Sequence, residues 1–253
     1  MTVCHNSSVS PPKSTAVTEE RRRLRFEERD RRILDAAREM LLRDGYQGLS
    51  MDTIAESIKY SRAVVYQHYK SKEDVLVAMA AQTGERRVEL FERASAFRGK
   101  PRERMVAIGE AVAHFAMKYP SHFKTEHIIH ASSVRSKCSS DNQIRLATCE
   151  ARCPQIAGGV VRDAVSHGDL VLPAGVAPEQ LVFGLWAMYF GGLFLMSSDV
   201  DLERKGGITE PMNALRRAAG ALLDGYGWRP LASEWDYDAT RKRVAKEVLR
   251  DVR

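Results

Sequence analysis

Four cysteines in 253 residues, at positions 4, 138, 149 and 153, are too few and too scattered for a disulfide framework. The N-terminus, Met1 to Ser14, carries serine and proline but no apolar leader run, so no secretory signal is expected and the chain suits a reducing, cytoplasmic setting. Long hydrophobic runs are also scarce. The longest, Leu181 to Met196, falls short of the roughly 18 residues expected of a membrane span, and its Gly184, Gly191 and Gly192 suit a buried or interface helix. Alternating strand patterns, a glycine-rich phosphate loop and internal repeats are all missing. Histidines stand at 114, 122, 127, 130 and 167, yet there is no His-Glu-x-x-His and no nucleophile elbow, so no enzyme is expected and no cofactor is implied. What is present is a chain long enough to bury roughly 70 to 75% of its unfolded surface, which folds without disulfides or a structural metal.

The formal net charge is +6, but the surplus is spread along the chain and by itself locates nothing. A shorter window is more informative. From Ser57 to Lys72 there are Lys59, Arg62, Lys70, Lys72 and His68, and no acid. A second basic cluster, Arg21, Arg22, Arg23 and Arg25, is interleaved with Glu19, Glu20, Glu27 and Glu28 and reads equally well as a solvated helix start or as an arm reaching a nucleic acid.

Helical spacing begins near Arg23, with Ile33, Leu34, Ala37, Met40 and Leu41 forming one stripe that Gly45 ends. Ser50 is a candidate N-cap for a short helix burying Ile54, Ala55 and Ile58, and a break follows near Lys59-Tyr60. Ser61 opens a two-turn segment, Arg62 to His68, which is too short to be stable alone. Further helices are expected from about Ser71 to Phe97, Pro101 to Tyr119, Pro120 to His130, Ser139 to Gly168 with a kink at Pro154, 179 to 197, 209 to 224, and over Val244, Val248, Leu249 and Val252. The fold class is all-α.

Two short helices joined by a tight turn, the second rich in cations and small residues, form a helix-turn-helix. Over about residues 28 to 80 this segment resembles the DNA-binding domain of TetR-type (TetR/AcrR) transcriptional regulators. The resemblance is carried by Gly45-Tyr46, Ile54-Ala55, Tyr66, Tyr69 and Ser71-Lys72-Glu73 in order and spacing. It implies a flexible basic arm over 1–23, a DNA-binding domain over 24–85 with the helix-turn-helix at about 50–69, an effector-binding and dimerisation domain over 86–228, and a helical extension over 229–253. Ser61, Arg62, Ala63 and Val64 would face base edges, Arg62 foremost because arginine to guanine is the commonest specific contact. Tyr66, His68 and Tyr69 would lie at the DNA surface, with Tyr66 and His68 on phosphates. Ser50 would sit against the backbone, and Lys72 would hold a phosphate with the amides of its helix. Lys59 stands where a glycine commonly makes the turn, and a left-handed backbone there would cost about 1 kcal/mol. Ala63 and Val64 replace a commoner glycine and hydroxyl residue, and Val64 could meet a thymine methyl.

The resemblance further implies a ligand-responsive repressor that binds a pseudo-palindromic operator in double-stranded DNA as a homodimer. The helices at 179–197 and 209–224 would pair with a second subunit, and an unknown small molecule would shift the spacing of the two heads. Candidates for the effector pocket are His114, Tyr119, Phe123, His127, Trp186 and Tyr189, with Phe115, Met117 and Phe183 beside them. No membrane partner is expected. An alternative keeps the fold but gives sensing to Cys138, Cys149 and Cys153, the last two sharing a helix face, as a thiol or metal site near His127 and His130. A helical enzyme or an interaction protein with no DNA role is the rival from another class.

Overall fold

The computed structural model describes residues 13–131, 134–198 and 200–250, and every regular element among them is helical. In chain order the helices are α1 (Lys13–Gly48), α2 (Met51–Ser57), α3 (Arg62–His68), α4 (Lys72–Ser95), α5 (Pro101–Lys118), α6 (Pro120–Ala131), α7 (Ser140–Ser166), α8 (Pro178–Ser197), α9 (Leu202–Gly206), α10 (Pro211–Gly225) and α11 (Tyr237–Glu247). A single 3-10 turn, Arg135–Lys137, precedes α7. That turn and α9 carry too few apolar residues to announce themselves by periodicity.

Of the arm expected over 1–23, residues 1–12 lie outside the described residues, and from Lys13 onward the chain is already helical. Glutamate and arginine are good helix formers, and the Arg23 guanidinium meets Glu20 at 3.1 Å and Glu27 at 3.7 Å, the i,i+3 and i,i+4 geometry that supports an exposed helix. The arginine cluster is therefore part of α1. Gly45 interrupts that helix at φ 69° and ψ −172°, a left-handed φ that glycine adopts without a Cβ penalty.

The chain divides into two compact units at Val75/Leu76, not at the expected 85/86. The first unit packs the α1 stripe, Ile33, Leu34, Ala37, Met40 and Leu41, with Leu49, Met51, Ile54, Ala55, Ile58 and Val65 as its core. The second takes most of α4, because Leu90, Phe91 and Ala94 belong to its main core with residues of α5, α7, α8 and α10. A smaller cluster joins Val77, Ala80 and Ala81 to Ile129, Val134 and Leu146. Pro154 lies inside α7, which remains one helix on either side of it.

The stretch expected as a separate extension, 229–253, belongs to this second unit as far as it is described. Val244 and Val248 are buried in its main core, and the Thr240 hydroxyl donates to Glu103 at 3.0 Å. Arg102, almost wholly buried, bonds the carbonyl of Trp228, pairs with Asp224 at 2.6 Å, and lies 5.0 Å from the Tyr237 ring centre. A buried guanidinium needs all of these partners, and meeting them fixes the C-terminal segment to α5 and α10.

Candidate nucleic-acid interface and effector cavity

Helices α2 and α3 are seven residues each, below the length at which a helix is stable alone, so the surrounding contacts must hold them. Ser50 caps α2 reciprocally: the Thr53 amide donates to its Oγ at 3.1 Å, and its own amide donates to the Thr53 hydroxyl at 3.0 Å. Lys59 adopts φ 57°, so the turn keeps its left-handed form without the glycine. Its strain is offset by the bonds it permits, Lys59 N–H to Glu56 O and Tyr60 N–H to Ala55 O. Arg32 of α1 braces the same turn, donating to Ile58 O at 3.1 Å and to the Tyr60 hydroxyl at 2.9 Å. Nothing in the sequence distinguished Arg32 from a solvated helix arginine.

On α3, Val65 is fully buried and anchors the helix. The outward face carries Ser61, Arg62, Ala63, Tyr66 and Gln67, all exposed, with Val64 half-buried beside them. A hydroxyl, a guanidinium, a methyl, a phenol and an amide side by side are groups that hydrogen-bond or touch base edges and phosphates. The Arg62 guanidinium meets Asp52 at 2.6 Å, an exposed pair whose net worth is below about 1 kcal/mol. Gln67 was not among the sequence candidates; its i+4 spacing from Ala63 was the available signal. Lys72 opens α4 with its ammonium 4.1 Å from the Tyr46 ring centre and 3.4 Å from Tyr46 O. The Tyr46 hydroxyl in turn donates to Glu73 at 2.9 Å.

Two expected contact residues face inward. Tyr69 is buried and donates its hydroxyl to Asp30 at 2.6 Å. The His68 ring is 1% exposed, stacked on Phe26 at 3.9 Å between centroids, with Nδ1 3.5 Å from Asp30. Burial lowers the His68 pKa against the opposing pull of Asp30, which favours the neutral ring. The physical reason is the end of α3: an aromatic pair there closes the helix against α1, which turns both side chains away from the surface at which they were expected.

Within the second unit, a cavity of about 1040 Å³ opens between apolar walls that include Phe91, Met105, Ile108, Val182 and Leu185. Of the pocket candidates, Trp186 and Tyr189 line it, as does Phe115. His114 and Tyr119 do not. His114 is half-buried on α5, where burial and Lys118 lower its pKa, and Tyr119 packs on Phe115 at 4.9 Å and accepts from Arg86 at 3.3 Å. Met117 and Phe183 are exposed side chains outside the lining. The side chains of Phe123 and His127 lie outside the described residues.

No disulfide joins Cys138, Cys149 and Cys153. Cys149 and Cys153 are buried, burial pushes both thiols up, Cys153 to about 11, and the Cys138 thiol donates to Arg135 O at 3.2 Å. Such thiols are poor nucleophiles, and no group of three potential metal ligands occurs among the described residues. Cys4 and the side chain of His130 lie outside the described residues. Beside the cavity, Arg87 donates to Glu126 at 2.6 Å, and His122 Nε2 lies 2.9 Å from the same carboxylate. Arg87 and His122 hold the Glu126 pKa down to about 2 in spite of burial.

Helix α8 is 20 residues, longer than the apolar run it contains, and is apolar and long enough to cross a membrane by length and composition. It buries Leu181, Val182, Leu185 and Leu193 against its neighbours, while Phe183 (62%), Trp186 (54%) and Leu195 (45%) stay exposed on the other side.

Residues 33–79 match the profile described as "Bacterial regulatory proteins, tetR family". A segment of 63 residues, 25% of this chain, is 32% identical to the uncharacterized HTH-type transcriptional regulator YvkB of Bacillus subtilis (strain 168), of whose length it spans only 33%. Among solved structures, a TetR/AcrR-family transcriptional regulator from Thermobifida fusca aligns with 79% of this chain and 98% of its own, at TM-score 0.58 and 22% identity. A putative transcriptional regulator from Saccharomonospora viridis, solved in complex with choline, aligns with 78% of this chain and 96% of its own, at TM-score 0.58 and 18% identity. At these identities the structural likeness speaks for the fold alone. Residues 33–79 thus match the family's helix-turn-helix segment, with the polar face of α3 exposed on a buried Val65 anchor, in a chain whose fold is similar to that of TetR/AcrR regulators.

Proposed function

We propose that the protein is a sequence-specific DNA-binding transcriptional regulator, acting in the cytoplasm as a ligand-responsive repressor. The observation that carries this reading is α3 itself, whose outward side chains Ser61, Arg62, Ala63, Tyr66 and Gln67 stand clear of the core in an acid-free segment flanked by Lys59, Lys70 and Lys72. In this reading α3 enters the major groove. Arg62 exchanges its weak pair with Asp52 for the O6 and N7 of a guanine, and Gln67 reads a neighbouring base. Lys72 and Tyr66 hold phosphates, and Ser50 lies close to the backbone. His68 and Tyr69 shape the helix end and touch no DNA. The exposed side of α8, with α10 packed beside it, supports a two-fold dimer that presents two recognition helices to a pseudo-palindromic operator. Occupancy of a promoter by such a dimer blocks polymerase without further chemistry, which favours repression. The cavity is the effector site, and the choline held by the Saccharomonospora viridis protein supports a small molecule in this role.

Selection of bound sequences from a random duplex pool tests the reading directly. A two-fold symmetric site is expected, with affinity falling steeply as salt rises. Arg62→Ala should relax preference at one base position, at a cost of about 1 to 3 kcal/mol, whereas Lys72→Ala should weaken all duplexes equally and reduce the salt slope by about one. Failure to bind any duplex with salt dependence would remove the DNA-binding role.

A further inference from the structure

The charges around the cavity are paired before any ligand arrives. Arg87 meets Glu126 at 2.6 Å, Arg102 meets Asp224 at 2.6 Å and Arg216 meets Glu110 at 2.7 Å. Glu150 pairs with Arg135, and Asp238 with Arg241. The remaining charged lining residues, Arg217 and Asp236, are exposed and opposite in sign. A ligand carrying net charge would lose its hydration on entry and, apart from the exposed Arg217 and Asp236, would have to break a pair already formed to find a partner.

Hydrogen bonding around the cavity is less complete. Tyr237 donates to Pro230 O and the Trp235 indole to Thr240, but the Tyr189 hydroxyl has no hydrogen-bond partner among the described residues. It packs over α5 at Gly109, where a Cβ would stand 2.7 Å from the phenolic oxygen, so only glycine leaves it room. Burial pushes this phenol up to about 12, which keeps its proton available to donate. Arg87 Nε and Arg102 Nε are likewise buried without a partner. All three unmet groups are donors, set in walls that are otherwise mostly apolar.

We infer that the cavity takes an electrically neutral, largely apolar molecule bearing a hydrogen-bond acceptor such as an ester or ketone oxygen, received by the Tyr189 hydroxyl. The inference rests on reading the cavity as the effector site. Its volume, about 1040 Å³, is at the upper end of small-molecule pockets and admits an extended chain or a fused-ring skeleton.

The test uses the purified full-length protein without DNA. Nile red is bound as a fluorescent probe and displaced at pH 7.5 by methyl decanoate, decanoate or decyltrimethylammonium, which share one alkyl length and differ in head charge. Methyl decanoate is expected to displace the dye at a concentration at least tenfold lower than either charged analogue. Tyr189→Phe should weaken the ester about fivefold and leave n-decane unchanged, and Gly109→Ala, which displaces the hydroxyl, should do the same. Equal or better competition by a charged analogue overturns the neutral class while leaving the cavity as a ligand site. Absence of displacement by all three overturns the inference altogether. Neither result touches the DNA-binding reading, which the salt-dependent selection decides in the absence of any of these compounds.

Discussion

At Lys59 the chain takes a left-handed backbone, φ 57°, that an L side chain adopts only at a cost of about 1 kcal/mol. It is tolerated because Arg32 and the flanking amide bonds over-determine the turn. Lys59→Gly is therefore expected to stabilise the protein by up to about 1 kcal/mol, read as a rise in Tm of roughly 2 to 4 °C by calorimetry. Unchanged or lower Tm would mean that the entropy of glycine in the unfolded chain outweighs the relief. Arg62 pairs with Asp52 at the surface. Their exposed pair holds the guanidinium over α2 weakly enough for a base to displace it.

Among elements, α3 depends on its surroundings for its helical form. Its seven residues cannot sustain a helix, and three inward contacts replace the missing length: Val65 in the core, the His68 ring on Phe26, and the Tyr69 hydroxyl on Asp30. Tyr69→Phe removes one of them and keeps the ring, so a loss of about 1 kcal/mol is expected. Hydrogen exchange of the α3 amides should speed up while those of α7 hold steady. On α8, Phe183 is exposed in the isolated chain. Phe183→Glu places a charge on that side of the helix and should turn a dimer into a monomer in sedimentation experiments, with the helix content unchanged. Persistence of the dimer would move the interface elsewhere.

For the molecule as a whole, acid is the expected weakness. Glu126 has its pKa lowered from the ordinary 4.5 to about 2 in the folded state by Arg87 and His122, so its stabilisation is present above about 4.5 and is lost as pH falls toward 2. His122 acts at higher pH with the same sign. Burial lowers its pKa below 6.5, so the unfolded chain binds its proton first and stability declines as pH drops through that value. Tm should thus fall from pH 7 to 5 and more steeply below 4.5. Glu126→Gln should cost about 3 to 5 kcal/mol at pH 7, since it strands the Arg87 charge, and should remove the steeper part of the acid profile.

How much of this was legible in the sequence follows from range. Local patterns placed α2 and α3 and the Ser50 cap, and came within a few residues of the long helices after them, because caps, prolines and apolar spacing act over one or two turns. Outward residues of α3 other than Gln67 were legible for the same reason. Tertiary structure alone decided that His68 and Tyr69 turn inward to Asp30, that Arg32 braces the turn, and that His114 and Tyr119 stand outside the cavity while Trp186 and Tyr189 line it. Those outcomes depend on partners dozens of residues away, and no spacing rule along the chain encodes which face of a helix a distant partner will cover. Pairing of the cavity's charges is the clearest case. Local spacing was enough for an all-helical chain with a helix-turn-helix, whereas only packing brought Arg87 to Glu126 and Arg216 to Glu110 and left the Tyr189 hydroxyl without an acceptor among the described residues.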